Sequence, residues 1–566
     1  MPVLFASAVL AVAYFAFMIL IGLPDGHSAR FNYAWLVGYS EAFQSGTLLP
    51  RFLPTLNGGM GGFDFFFYGP LPFWLTAAVA APLCPSCAAE TPFIAVLAAL
   101  SILGSFGVYL LCRRFFGQGP SLAGAVIYAL LPYHLWVDWF FRQATTEFAA
   151  YAFLPFVALG MDKARSGQNG GALIVFGVAG TALCHLPTAL LAAHVFGMIA
   201  LAMVFHRATP AGQRLTLLGG IVGWTVLGIG LAAFYWLPAL ALLPTVSPDA
   251  LYETHYTAAH WLFGPQSNWW RGSVDHPLDT QAVLYNGLAI LFGTLICVIA
   301  VLRTGGMARI LILIPVAVAL FMNSALSAVF WEYWIIDKVQ FPWRLLVFLD
   351  LSAALGGAAI VAAIAKKTLR PLAVIPLLCC AAVTFVLIGQ SFVAGDLPGR
   401  TDSYYAGYAP SEYLSPERFA ATNDARKIIR AGVDINDIID LAFRDFAKAH
   451  AVARDGTYSG YVAQNRIIQL RPNPAAERVL APVQYWFLWM AETEDGTPLN
   501  LVASSDFGTV DILAPRSGFE DSVITLQLQH HWSELVGVVL SAISLLAFAL
   551  VTAARRRRVK TSHAAG

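Results

Sequence analysis

Residues 91–114 read TPFIAVLAALSILGSFGVYLLCRR. The stretch 91–112 contains no charge, and Arg113 and Arg114 follow at once. A helix crossing the hydrocarbon core of a bilayer needs about 20 apolar residues. A pair of arginines at its end marks the cytoplasmic side. This single segment sets the reading of the chain, because runs like it recur. Hydrophobic residues make up 58% of the 566 and charged residues only 12%. A soluble globular domain carries about 25% charge. Mean hydropathy is +0.66. The sequence therefore reads as a mainly α-helical, polytopic membrane protein.

Twelve runs qualify as spans: 3–23, 91–112, 119–140, 147–161, 171–187, 188–205, 215–241, 282–302, 310–329, 345–364, 371–393 and 534–553. The first has no basic region before it and no small-residue cleavage site, so it reads as an uncleaved span. Basic clusters then fall at alternate connections. They are Arg113/Arg114, Lys163/Arg165, Arg207/Arg214, Arg303/Arg309, Lys366/Lys367/Arg370 and the tail Arg555–Arg558 with Lys560. All six share one side, which the positive-inside rule makes cytoplasmic. That parity holds only if the apolar stretch 68–84 does not cross, and we read it as an interfacial helix. The opposite side receives 24–90, 242–281, 330–344 and 394–533, where most of the Trp, Tyr, Asn, His and acidic residues outside the cytoplasmic loops collect. Three domains follow: a multi-span helical membrane domain over residues 1–393, a soluble α+β domain over 394–533 outside the cytoplasm, and a final span with a basic cytoplasmic tail, 534–566.

In the soluble domain, Ser415-Pro416-Glu417 starts a helix, with serine as cap and proline in the first turn. Helical amphipathic pattern continues through Asp437–Lys448. After Asn465 the pattern turns to strands, with a hairpin at Asp495-Gly496 and an alternating strand at Val523–Gln529. We expect a small β-sandwich-like portion there. Five of the seven cysteines (Cys112, Cys184, Cys297, Cys379, Cys380) lie in or beside apolar runs and read as small packing residues. Cys84 and Cys87 form a lone C-x-x-C without the second pair a zinc site needs. The net charge of +1 gives no ground for a nucleic-acid partner.

Candidate functional residues gather on the outer segments. Asp25 and His27 follow the first span in Leu23-Pro24-Asp25-Gly26-His27. A carboxylate at the lip of a helix has its proton affinity moved by partial desolvation and can meet a lipid-borne substrate. Asn32–Gln44 reads as an interfacial helix. Leu49-Pro50-Arg51-Phe52 comes next, then the glycine run 57–62, ending in Phe67-Tyr68-Gly69-Pro70. The run lacks the Lys-Ser/Thr ending of a P-loop. Asp138, Arg142 and Glu147 form a second group, and Gln340-Phe341-Pro342-Trp343-Arg344 a third. His185 opens a further outer loop. Arg142 and Arg344 suit two-pronged contact with phosphate oxygens. Each has a plainer alternative: a solvated span-end acid for Asp25, an ion pair for Arg142 and Glu147, interfacial snorkelling for the arginines, and structural roles for the histidines.

These segments, in this order, together with Pro410-x-Glu412-Tyr413-Leu414, resemble the GT-C superfamily of membrane glycosyltransferases. Within it the resemblance is to a bacterial group labelled as membrane proteins related to 6-pyruvoyl-tetrahydropterin synthase. The resemblance implies an inverting enzyme that moves a sugar from a polyprenyl-phosphate donor to a glycan, lipid or protein acceptor on the outer face of a bacterial inner membrane. It gives Asp25 the role of base and Glu147 or Asp138 that of the second acid. His27, Arg51, Tyr68, Arg142, His185, Gln340 and Arg344 would then bind substrate. A divalent metal ion is the cofactor it leaves open, because Gly26 stands where family members often carry a second acid. Two other readings compete: a flippase or transporter of a lipid-linked envelope intermediate, with Asp350, His194 and His134 as intramembrane candidates, or a non-catalytic scaffold for envelope assembly.

Overall fold

The computed structural model describes residues 28–87, 89–131, 133–246, 262–263, 277–332, 336, 339, 341–364, 458–504, 508–519 and 523–564. Asp25, His27, Gln340, the runs 3–23 and 371–393, the 410–414 motif and the helical portion of the soluble domain lie outside the described residues.

The helices are α1 (Ala29–Gln44), α2 (Leu71–Leu83), α3 (Glu90–Cys112), α4 (Gln118–Leu130), α5 (Thr145–Ala150), α6 (Leu154–Arg165), α7 (Gly171–Cys184), α8 (Leu186–Phe205), α9 (Arg214–Leu231), α10 (Ala233–Leu242), α11 (Pro277–Arg303), α12 (Gly306–Met322), α13 (Leu346–Ala363) and α14 (Trp532–Ala564). A π-wound segment, Tyr133–Phe141, joins α4 to α5.

Six stretches among the described residues are long and apolar enough to cross a membrane: Glu90–Cys112, Leu186–Phe205, Ala211–Leu231, Asn286–Arg303, Pro342–Ala363 and Trp532–Arg555. The chain is a membrane protein, but the expected dozen spans are not what the described residues show. Several apolar runs are broken where they were read as continuous. The run 119–140 stops at Leu131, whose ψ of 142° is extended. The next residue is proline, which disfavours helical geometry just before it. The run 147–161 splits into α5 and α6, with Pro155 in the first turn of α6. Apolar length alone cannot distinguish a crossing from two shorter helices buried against protein, where broken backbone finds partners. The stretch 71–83 forms a helix about 20 Å long at 1.5 Å per residue, too short for a core of about 30 Å.

The helices differ sharply in exposure. The window in Pro342–Ala363 is 89% buried, whereas that in Trp532–Arg555 is 6% buried. Small residues allow the close packing around α13. A Cβ on Gly124 of α4 would stand 2.9 Å from the Ala354 carbonyl oxygen and 3.1 Å from the Ala358 Cβ.

At one end of the bundle, buried Asp162 accepts from Arg114 Nε at 2.7 Å and from Arg165 Nη2 at 2.9 Å. At that end too, Gly171 packs on Trp224, and Arg555 lies 4.8 Å from the Trp224 ring. Three of the basic clusters thus gather together. The sheet, the loop before α2 and the acid–arginine residues lie towards the other end.

Seven strands, β1 (Tyr458–Gln464), β2 (Ile467–Pro472), β3 (Arg478–Gln484), β4 (Trp489–Glu492), β5 (Pro498–Ala503), β6 (Thr509–Leu513) and β7 (Ile524–Leu528), form one antiparallel sheet in the order β1-β2-β7-β4-β5-β6-β3. The expected sandwich is therefore a single sheet. Its hairpin between β4 and β5 turns at Asp495-Gly496, with Gly496 at φ 84°. The sheet seats itself on the loop before α2. Gln484 donates from its backbone N to Met60 O and from Nε2 to Gly61 O, at 2.9 and 2.7 Å. Trp486 packs on Phe63 at 4.2 Å and Phe66 at 5.1 Å between ring centroids. Gly61, at φ 79°, lies so close to Phe52 that a Cβ would meet its ring at 2.3 Å. Cys84 and Cys87 are joined as a disulfide in the loop between α2 and α3.

Candidate functional site

Where α4 breaks, the π-wound segment carries Tyr133 and Asp138 inward and leaves Arg142 at its end. The chain then turns sharply at Gln143, whose φ of 51° is left-handed. That turn brings Arg142 back onto Glu147 in the first turn of α5. Asn32 of α1 fixes the turn: its Nδ2 donates to Gln143 O at 2.6 Å, and its Oδ1 accepts from Thr145 Oγ1 at 2.8 Å.

The result is a buried cluster of two acids, two arginines and two tyrosines. Arg142 Nη1 lies 2.7 Å from Asp138 Oδ1 and 3.0 Å from Glu147 Oε2. Arg344 Nε approaches the same Glu147 oxygen at 3.2 Å, and its Nη1 donates to Val339 O at 2.6 Å. The other Glu147 oxygen accepts from Tyr133 at 3.0 Å and Tyr151 at 3.1 Å. Tyr151 also donates to Asp138 Oδ2. Asp138 and Glu147 are at most 1% exposed. Phe341 lies 5.6 Å from the Arg142 guanidinium and 5.2 Å from that of Arg344, and it stacks on Trp343 at 4.6 Å. The aromatic platform and the carboxylates hold both guanidiniums side by side.

Two further candidates border this cluster. The Tyr68 hydroxyl bonds the side chain of Thr146 and lies within electrostatic range of Arg344, Arg142 and Glu147; burial pushes its pKa up to about 12. His185 caps α8, its Nδ1 accepting from Thr188 N at 3.3 Å, and it faces the charges of Glu147, Arg344 and Arg142. Gly69 joins the two segments. A Cβ there would fall 1.6 Å from the Cys184 carbonyl oxygen, so the backbone approach admits only glycine.

Arg51 is placed elsewhere. Its Nε lies 3.2 Å from Glu534 Oε2 at the head of α14, and its Nη2 donates to Phe234 O at 2.5 Å. Asp25, His27 and Gln340 lie outside the described residues. Ser28, three positions after Asp25, donates its backbone N–H to Arg142 O at 2.9 Å, so the described chain begins against the cluster.

Tyr133 and Tyr151 did not stand out in the sequence, because tyrosines beside apolar runs read equally well as interfacial anchors. Two of the intramembrane candidates, Asp350 and His194, bond to nearby backbone. Asp350 accepts from the backbone N–H of His134 at 3.0 Å, just past the break after Leu131. His194 bonds Leu190 O at 2.8 Å on an exposed face. Among the described residues no group of three or more His, Cys, Asp or Glu side chains could hold a metal ion. The two buried carboxylates face guanidiniums and phenols, a donor set that does not suit one.

No family model matches the chain, and no curated protein sequence does. Similar solved structures include the arabinofuranosyltransferase AftD from Mycobacteria, at 18% identity and a TM-score of 0.42, over 76% of this chain and 28% of that one. The oligosaccharyltransferase AglB from Archaeoglobus fulgidus, solved with an inhibitory peptide and a dolichol-phosphate, is 15% identical with a TM-score of 0.41, over 73% of this chain and 60% of that one. ArnT from Cupriavidus metallidurans, bound to undecaprenyl phosphate, is 15% identical with a TM-score of 0.36, over 77% and 74%. The chain thus spans less than two thirds of the length of the first two. At these scores the likeness is one of loose arrangement and carries no functional weight. The 6-pyruvoyl-tetrahydropterin synthase-related label finds no support among these matches.

Proposed function

We propose that this protein is a membrane glycosyltransferase of the GT-C kind, transferring a sugar from a polyprenyl-phosphate donor to an acceptor hydroxyl outside the cytoplasm. The observation that carries this reading is the pair of guanidiniums, Arg142 and Arg344, sharing one oxygen of buried Glu147 at the sheet-bearing end of a helical bundle. Each guanidinium keeps further N–H donors, and their planar fork matches phosphate oxygens. The ordered motifs that resemble GT-C enzymes contribute both arginines and the acid.

In the proposed reaction the acceptor oxygen attacks the anomeric carbon as the bond from that carbon to the phosphate oxygen breaks. The bonding pair leaves with the lipid phosphate, whose growing charge Arg142 and Arg344 offset. The acceptor proton passes to a carboxylate, for which Asp25 is the proposed base. Glu147 and Asp138 hold the guanidiniums in place before the donor arrives. Tyr68 and His185 line the approach. A route of this kind inverts the anomeric centre.

The test uses membranes containing the full chain and a polyprenyl-phosphate donor with a radiolabelled sugar. Glu147→Gln keeps the shape but removes the charge that orients both arginines, and should lower transfer by about 10²-fold or more. Asp25→Asn should abolish transfer while leaving the fold intact. Movement of labelled lipid across the bilayer without any new glycosidic linkage would overturn the proposal in favour of a flippase.

A further inference from the structure

A second charged site sits apart from the proposed catalytic cluster, where the outer loop, the sheet and the last helix meet. Glu534, in the first turn of α14, is its only described carboxylate, and two guanidiniums converge on it. Its Oε2 lies 3.2 Å from Arg51 Nε and 2.5 Å from Arg466 Nη2, and its Oε1 lies 3.2 Å from Arg466 Nη1. Oε1 also accepts from the backbone N–H of His531 at 3.1 Å. The Phe66 ring serves both cations, 5.4 Å from the Arg51 guanidinium and 5.3 Å from that of Arg466.

Among the described residues two cations share one anion. Arg51 is 8% exposed, and its Nη1 is buried with no hydrogen-bond partner among the described residues. A buried, unsatisfied cationic donor is costly unless something pairs with it. One further negative charge would neutralise the junction. His530, 75% exposed, lies 3.5 Å from the same Glu534 oxygen, so one border of the junction is solvent-accessible.

The surroundings point to where that charge comes from. Trp532 and Leu535, at the head of α14, are 62% and 69% exposed. The apolar window of this helix is only 6% buried, which leaves an open apolar flank of the kind lipid would cover. Phe487 of the sheet, itself exposed, sits 6.4 Å from His531. An exposed tryptophan at the start of a span belongs at head-group depth. A molecule with one negative charge on its head and an apolar tail would meet both requirements at once.

We propose that this junction binds the phosphate of an anionic phospholipid, with Arg466 and Arg51 on the head group and the acyl chains along α14. The lipid would seat the sheet on the bundle by completing the charge between them. The proposal does not depend on the transfer reaction.

The experiment measures thermal unfolding of the full chain in mild detergent with added phosphatidylglycerol, phosphatidylcholine or inorganic phosphate. Phosphatidylglycerol is expected to raise the melting temperature, and the other two are not. Arg466→Gln, at the turn between β1 and β2 with its side chain 17% exposed, should weaken the apparent affinity for phosphatidylglycerol about tenfold, the loss expected for one charge-assisted contact. Arg478→Gln, whose arginine is 71% exposed and pairs with Asp511, serves as the charge control and should respond as the parent does. An undiminished response in Arg466→Gln would overturn the site. Equal stabilisation by inorganic phosphate, or by phosphatidylcholine, would overturn an anionic lipid as its occupant. Should Arg466→Gln unfold, retention of phosphatidylglycerol by the parent protein, read by native mass spectrometry against an Arg51→Gln variant that removes the charge, gives the same decision: equal retention by both overturns the site.

Discussion

At the scale of single residues, the cluster turns on geometry more than on charge. Arg344 uses Nε for Glu147 and Nη1 for the Val339 carbonyl, two directions that one lysine ammonium cannot serve together. Arg344→Lys should therefore lower transfer by about tenfold or more while the protein still folds, read as labelled product per folded protein. Parent-like transfer in that variant would show that Arg344 is only a charge. Tyr68 offers a pH test. Burial holds its folded pKa near 12, above the ordinary value of 10. A raised pKa means the folded state keeps its proton where the unfolded chain has lost it. Stability is therefore whole below about pH 10 and falls as pH rises through about 12. Tyr68→Phe should flatten that alkaline loss, measured as melting temperature against pH. The arginines and acids were visible in the sequence because charges are rare in such a chain. Gln143's left-handed turn and Asn32's role in fixing it were not, because neither residue type announces that role.

At the scale of elements, the sequence was most readable where chemistry interrupts a run. Asp495-Gly496 marked its hairpin, since glycine accepts the positive φ the turn requires. Pro132 and Pro155 broke helices that apolar length alone would have continued. What stayed hidden is which interrupted runs cross, because a helix inside a protein and one inside lipid share the same composition. The glycine run 57–62 also concealed its task. It is the seat on which β3 and the residues after it dock, through Gln484 and Trp486. Trp486→Ala removes a buried ring that also donates to Thr245 Oγ1 at 3.1 Å. The loss should be about 3–5 kcal/mol, seen as faster proteolysis between residues 57 and 67. Cleavage at the parent rate would mean that the sheet is held by other contacts.

At the scale of the whole molecule, three of the six basic clusters expected on one side of the membrane lie at one end of the bundle. Arg114, Arg165 and Arg555 gather away from the sheet. A cysteine placed at Gly119, where a side chain meets nothing within 4 Å, should react with an impermeant thiol reagent only from the cytoplasmic side. One placed at Glu494, on the exposed hairpin, should react only from outside. Labelling of both from the same face would sink the topology and the proposed function together. The central place of α13 also bears on biosynthesis. The helix is apolar enough to sit in a bilayer by itself, yet in the finished bundle nearly all of its surface lies against protein. Its partner α4 is made long before it, and is too short to span alone. The contacts that bury α4 and α13 against each other therefore form only after residues 342–363 have left the ribosome.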